Sequence, residues 1–145
     1  MSFTHLHVHT QYSLLDGKAT IPELVDKAIS TGMKGIAITD HGNMFGIKEF
    51  WNYVDKVNSK REEGDKFKPI IGCEMYVARN KMTEKKDKSD NGYHLIVLAK
   101  NLKGYHNLVK LVSRAWTEGY YYKPRTDRED LEAHKAVSYT HLTLP

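Results

Sequence analysis

Gly35-Ile36-Ala37-Ile38-Thr39 is a short apolar, β-branched run that stops abruptly at Asp40-His41-Gly42-Asn43. Such a run suits a strand covered on both faces of a parallel sheet, and polar residues just past its end fall where open α/β sheets carry their chemistry. The flanking segments agree with this reading. Upstream, Thr20-Ile21-Pro22-Glu23 has the form of a capping box, with proline tolerated in the first turn, so a helix starts there. Leu24, Val25, Ala28 and Ile29 recur at helical spacing, and Gly32 can supply the left-handed stop. Downstream, Ile47, Phe50, Trp51, Val54 and Val57 mark a second amphipathic helix that ends in the soluble run 58–65.

Further out, residues 3–10 alternate polar and apolar and predict a first strand, followed by a loop over 11–17. Residues 69–77 and 95–99 predict a third and a fourth strand. Leu108, Leu111, Val112 and Ala115 mark a third helix after a turn at Asn101-Leu102-Lys103-Gly104. Strands alternating with helices imply an α/β fold with mostly parallel strands and covering helices, because parallel neighbours need a crossover connection. Elements in this number suit the first half of an incomplete (β/α) TIM-like barrel.

The 145 residues allow one domain or a piece of one, and 40% hydrophobic with 28% charged residues describes a folding chain rather than a disordered one. A single cysteine, Cys73, excludes an internal disulfide framework, and no run approaches the roughly 20 apolar residues of a membrane span. The expected home is the cytoplasm, with no membrane partner. The net charge of +4 is compatible with phosphate-bearing partners without indicating them. Residues 79–90 mix both signs and read as a solvated loop. Tyr120-Tyr-Tyr-Lys-Pro-Arg-Thr-Asp127 reads as an aromatic and basic loop, for which packing on the domain is favoured over base stacking.

The chemistry-bearing residues cluster at the expected strand ends. On a strand, residues two apart share a face, so His7 and His9 present imidazoles side by side, with His5 set ~6 Å further back and the Thr10 hydroxyl facing away. Asp16, in the following loop, can join them. His41 follows the second strand and is a ligand candidate; Asp40 suits either a metal contact or the capping of a turn. Glu74 closes the third strand, where a carboxylate can bridge two divalent cations, while Cys73 points the other way into the core. His94 precedes its strand, which in a parallel sheet would leave it at the wrong end. Mixed histidine and carboxylate ligands suit zinc, manganese or iron, and clustered cations point to metal-assisted phosphoester hydrolysis. No phosphate loop, Gly-x-Ser-x-Gly elbow or Cys-x-x-Cys competes.

His7-Val8-His9-Thr10, Thr39-Asp40-His41-Gly42 and Gly72-Cys73-Glu74 resemble the first three motifs of the PHP (polymerase and histidinol phosphatase) family. Tyr12-Ser-Leu-Leu-Asp-Gly17, His94-Leu-Ile-Val-Leu-Ala-Lys-Asn101, Gly104-Tyr-His-Asn-Leu108 and Tyr122-Lys-Pro-Arg125 narrow the resemblance to PHP domains at the N-terminus of bacterial replicative DNA polymerase α subunits. The resemblance implies a centre of up to three divalent ions (Zn, Mn or Fe), with His7, His9, Asp16, His41, Glu74 and His94 at ligand positions; this gives His94 a place that spacing denies it. It also implies a polymerase parent, 3′ to 5′ exonuclease proofreading at the metal site, and DNA, a proofreading exonuclease subunit and other replisome subunits as partners. The family's last metal motifs and the polymerase aspartates are absent, so residues 1–134 are expected to be the N-terminal part of a PHP domain. Residues 135–145 do not match and are expected to be a foreign junction. The alternatives are a free-standing phosphoesterase such as histidinol phosphatase, and a non-catalytic scaffold for a proofreading subunit.

Overall fold

The computed structural model describes residues 3–88, 90 and 92–134, together with the backbone of Ser138–Thr143. Thr20 opens the first helix, α1 (Ile21–Ser30), with the expected reciprocal cap: its hydroxyl accepts from the Glu23 N–H and the Glu23 carboxylate accepts from the Thr20 N–H. Gly32, at φ +80, ends it as expected. The second helix, α2, spans Ile47–Asn58. The third, α3 (Leu102–Thr117), starts earlier than its apolar spacing suggests, because Asn101 is the cap and accepts from the Gly104 N–H at 2.9 Å. The stretch 101–104 is therefore the helix's first turn rather than a turn before it. A short α4 (Arg128–Ala133) is capped by Asp127.

The strands are β1 (Gly35–Ile38), β2 (Lys68–Val77), β3 (Tyr93–Leu98), β4 (Arg125–Thr126) and β5 (Ser138–Thr143). β1 pairs with the first part of β2 in parallel, Gly35 against Lys68 through Ile38 against Ile71. β4, unforeseen inside the aromatic loop, pairs in parallel with the end of β2. β3 runs antiparallel to β2, Gly72 facing Leu98 through Val77 facing Tyr93, and β5 runs antiparallel to β3. The fold is α/β as expected, but its sheet mixes both directions. Among the described residues no helix lies between β2 and β3, so the chain has no helical crossover to carry it back to a parallel start and returns alongside itself.

Residues 3–10 do not form the expected strand. They lie beside β1, where the Ala37 N–H donates to the His5 carbonyl at 2.9 Å and the Thr39 N–H to the Val8 carbonyl at 2.8 Å. The Val8 N–H, however, is taken by the Thr39 hydroxyl at 2.9 Å, and the chain bends at Leu6 and His7. A side chain in place of a backbone acceptor breaks the ladder that would make the segment a strand.

Two apolar layers cover one side of the sheet. Cys73, Met75 and Val77 of β2 pack with Leu95 and Val97 against Leu108, Leu111, Val112 and Ala115 of α3. Ile36 and Ile38 of β1 pack against Ile21, Val25, Phe50 and Val54 of α1 and α2. The opposite side holds a small cluster of Ala37, Ile96 and Leu98. Because strand residues alternate faces, Glu74 and Tyr76 share that second side. No helix among the described residues is long and apolar enough to cross a membrane.

Candidate metal centre

Asp40 anchors the site from behind. Only 3% exposed, its carboxylate accepts from the Thr10 N–H at 2.7 Å, the Thr10 hydroxyl at 2.8 Å and the Ser13 hydroxyl at 2.7 Å. These bonds take three of its roughly four lone-pair sites and fix residues 10–13 against the end of β1. Asp40 thus positions a turn instead of facing the other polar groups, and the Thr10 hydroxyl is structural as expected. Gly17 closes the same loop so tightly that a Cβ there would lie 1.8 Å from the Thr10 carbonyl oxygen.

Past β1 the pairing with β2 continues for one more step. The Glu74 N–H donates to the Asp40 carbonyl at 3.0 Å and the Gly42 N–H to the Glu74 carbonyl at 2.8 Å, which sets His41 beside Glu74. Gly42 sits at φ +60, and a Cβ there would come within 2.6 Å of Pro124 Cγ and 3.2 Å of the Tyr76 ring. Only glycine fits that corner. On the other edge of β2, the antiparallel register puts Tyr76 opposite His94, so the start of β3 lies beside the end of β2. This overturns the parallel geometry that left His94 at the wrong end.

The six expected ligand residues converge. Glu74 Oε2 lies 2.7 Å from both His7 Nε2 and His9 Nε2, which are 3.1 Å from each other. Glu74 Oε1 meets His94 Nδ1. Asp16 Oδ2 lies 2.9 Å from His41 Nε2 and 3.5 Å from His9 Nδ1. Three groups of potential ligand atoms result: His7, His9 and Glu74; His9, Asp16 and His41; His41, Glu74 and His94. Each shares a residue with the other two. His5 stands apart, exposed and edge-on to Phe3 at 4.7 Å, so it packs locally. Cys73 is fully buried in the core as expected, where burial pushes its thiol far above the ordinary value. His141 lies outside the residues whose side chains are described.

The donor set fits a cation. An ionised Glu74 can only accept, so His7 and His9 would both have to point N–H groups at one oxygen while their nitrogens sit 3.1 Å apart. His41 Nδ1 is buried with no hydrogen-bond partner, 3.6 Å from Glu74 Oε2. Ligand atoms about 2.0–2.2 Å from a tetrahedral ion are roughly 3.3–3.6 Å from one another, a range that holds the 3.5 and 3.6 Å separations, lies just above the 3.1 Å one and exceeds the two of 2.7 Å. For Glu74, burial opposes ionisation, but hydrogen bonds from His9 and His7 and the charges of His41 and His7 hold its carboxyl down at about 2. The hydrogen bond to Glu74 raises His9 above its ordinary value against the opposing effect of burial. The hydrogen bond to His41 lowers Asp16.

Spacing does not single out Tyr76, which stands beside this cluster. Its ring stacks on His41 at 6.1 Å and meets His94 edge-on at 4.9 Å. Burial and the neighbouring Glu74 charge push its phenol up to about 12. Its position two residues after Glu74 on one strand was the available signal. The packing favoured for the aromatic loop holds at its basic end, where Arg125, 1% exposed, donates to the carbonyls of Glu84 at 2.8 Å and Met82 at 3.3 Å and to Asp90 at 3.1 Å, but not for Tyr120 and Tyr122, which are 47% and 62% exposed.

The PHP domain family matches residues 5–143. A DNA polymerase III subunit alpha of Treponema pallidum is 52% identical over 136 residues, 92% of this chain and 11% of that protein. The corresponding protein of Borreliella burgdorferi is 48% identical over 132 residues, 90% of this chain and 11% of that protein. This chain therefore spans about a tenth of the length of the curated relatives it matches. A crystal structure of a candidate metal-dependent phosphoesterase from Bifidobacterium adolescentis aligns with a TM-score of 0.48 at 18% identity, covering 80% of this chain and 35% of that one.

Proposed function

The chain belongs to the PHP domain family, and from that premise we propose that it is part of a bacterial replicative DNA polymerase III α subunit whose metal centre hydrolyses phosphodiester bonds at a DNA 3′ end. The convergence of His7, His9, Asp16, His41, Glu74 and His94, with the orphaned Nδ1 of His41 among them, carries this reading. These residues would hold up to three divalent ions, and bound ions would supply an activated water and neutralise charge on the phosphoryl group. The chain's own contribution is to fix the ligands: Asp40 holds the turn beneath His9, the β1 extension places His41, and the antiparallel β3 delivers His94. Glu74, 2% exposed, keeps its carboxylate ionised at the focus of the cluster.

The same reading takes the sheet as the first half of an incomplete (β/α) barrel, supported by helices packing on one side and the site facing the other. Residues 1–134 are its N-terminal part, with 135–145 a tail of different origin, although the family match itself runs on to residue 143. DNA, a proofreading subunit and other replisome subunits are the proposed partners, and the cytoplasm the proposed location. Metal analysis of the purified protein and of His9→Ala, with a 3′ to 5′ exonuclease assay on both, tests it. Bound metal and nuclease activity, both lost in His9→Ala, are expected. Metal without nuclease activity would instead leave a scaffold role.

A further inference from the structure

Phe45, Trp116 and Tyr120 are 64%, 43% and 47% exposed and form a ladder of rings. Phe45 and Trp116 have centroids 6.2 Å apart, and Trp116 stacks on Tyr120 at 5.6 Å with an interplanar angle of 21°. They come from the loop before α2, from α3 and from the turn after it. Contiguous exposed aromatic surface marks an interaction site more often than isolated exposed rings do. The ladder is tied to the candidate centre: the Trp116 indole N–H donates to the Gly42 carbonyl at 2.8 Å, one residue from His41.

A cation stands over the ring that Gly42 packs against. Lys123 Nζ lies 4.5 Å above the Tyr76 ring, the ring that contacts both His41 and His94. Among the described residues no carboxylate pairs with it. The turn that delivers it passes through Tyr122 at φ +59, a left-handed conformation that is unfavourable for tyrosine. A strained turn thus holds an unneutralised ammonium one ring away from the ligand cluster.

We propose that Phe45, Trp116, Tyr120 and Lys123 form a binding strip for single-stranded polynucleotide that leads into the candidate metal centre. Flat exposed rings accept the faces of bases regardless of sequence, and an ammonium accepts a phosphate. A duplex keeps its base faces stacked internally and has none to offer the ladder. A small phosphate monoester would use the cation and the centre but would leave the ladder idle. The proposal rests on the phosphodiester reading of the centre for the chemistry at the strand's end, whereas the binding itself requires no metal.

The test is a fluorescence titration in EDTA. A Trp51→Phe background leaves Trp116 as the reporter, since the chain has two tryptophans. Oligothymidylate of twelve nucleotides should quench it, and an abasic strand of equal length should bind more weakly. Tyr120→Ala should weaken oligothymidylate binding by roughly tenfold, the usual effect of losing one base-stacking ring. Lys123→Gln should weaken it and reduce the slope of log K against log salt by about 0.7, the loss of one phosphate contact on a single strand. Equal affinity for the abasic strand, or an unchanged Tyr120→Ala with the same melting temperature as its background, would overturn the strip. So would the absence of quenching at low salt, which would make the ladder a protein-contact surface. Strand binding without any nuclease activity in the metal-loaded protein would refute the hydrolytic reading while leaving this one standing.

Discussion

Replacing Asp40 by asparagine separates a residue that positions the site from one proposed to bind metal there. The Asp40 carboxylate accepts from the Thr10 N–H, the Thr10 hydroxyl and the Ser13 hydroxyl within 2.7–2.8 Å, and it is nearly inaccessible to solvent. An asparagine oxygen in place of Oδ1 can keep the bonds from the Thr10 N–H and the Ser13 hydroxyl. Its NH2 group then faces the Thr10 hydroxyl, which can rotate and accept. The loss is one of charge assistance, so the fold should weaken by about 1–3 kcal/mol. Alanine would leave all these donors unpaired, two of them on Thr10, which is fully buried, and should cost about 3–5 kcal/mol, a large share of a typical domain's stability. Urea denaturation measures both variants. Metal content after dialysis against zinc or manganese supplies the decisive comparison: Asp40→Asn should keep its metal, whereas Glu74→Gln should lose most of it. If a folded Asp40→Asn loses metal as completely as Glu74→Gln, the positioning account of Asp40 is wrong.

Other outcomes follow from the same geometry. In the metal-free chain, His9 is raised above 6.5, so its stabilising effect is complete below that value and fades as pH rises through the raised one; Glu74, lowered from 4.5 to about 2, contributes fully above 4.5 and loses its effect as pH falls toward 2. Melting temperature in EDTA, as far as this pair governs it, should therefore be highest between about pH 4.5 and 6.5 and decline on either side. A cation must displace the His9 proton, so apparent metal affinity should rise from pH 6 to 8, and a flat profile by calorimetry would contradict the ligand assignment. Gly42→Ala combines a left-handed backbone with a clash against Pro124, and urea midpoints should show a loss of at least about 1–2 kcal/mol; a neutral result would mean that the corner relaxes freely. Arg125→Ala removes the guanidinium from the Met82 and Glu84 carbonyls and from Asp90 and leaves its buried site empty, and should destabilise by about 3–5 kcal/mol, whereas a change below 1 kcal/mol would show that water replaces the guanidinium.

The first two helices and β1 were legible because their signals are local. The Thr20 and Glu23 cap, the apolar spacing from Ile47 to Val57 and the buried run after Gly35 each operate within a few residues, and the structure bears them out. The expected strand over residues 3–10 failed because a ladder needs a partner's backbone, and there the partner offers the Thr39 side chain. The third helix began a turn early because Asn101, which resembles a turn residue, serves equally well as a cap.

What the sequence determined by itself is the inventory: an α/β chain with histidines and carboxylates at strand ends and little apolar reason to be there. Which of those residues meet was decided by pairing direction. The spacing of His94 speaks against it, and only the antiparallel return of β3 sets it beside Glu74; Asp40, equal in type to any ligand, is turned away by donors thirty residues upstream. Tyr76 and Lys123 owe their contact to β4 joining the edge of β2, a long-range pairing with no periodic trace in the chain. Residue type and local spacing reveal the chemistry available, but ligand convergence depends on distances between segments far apart in sequence, and those are set by strand direction and packing.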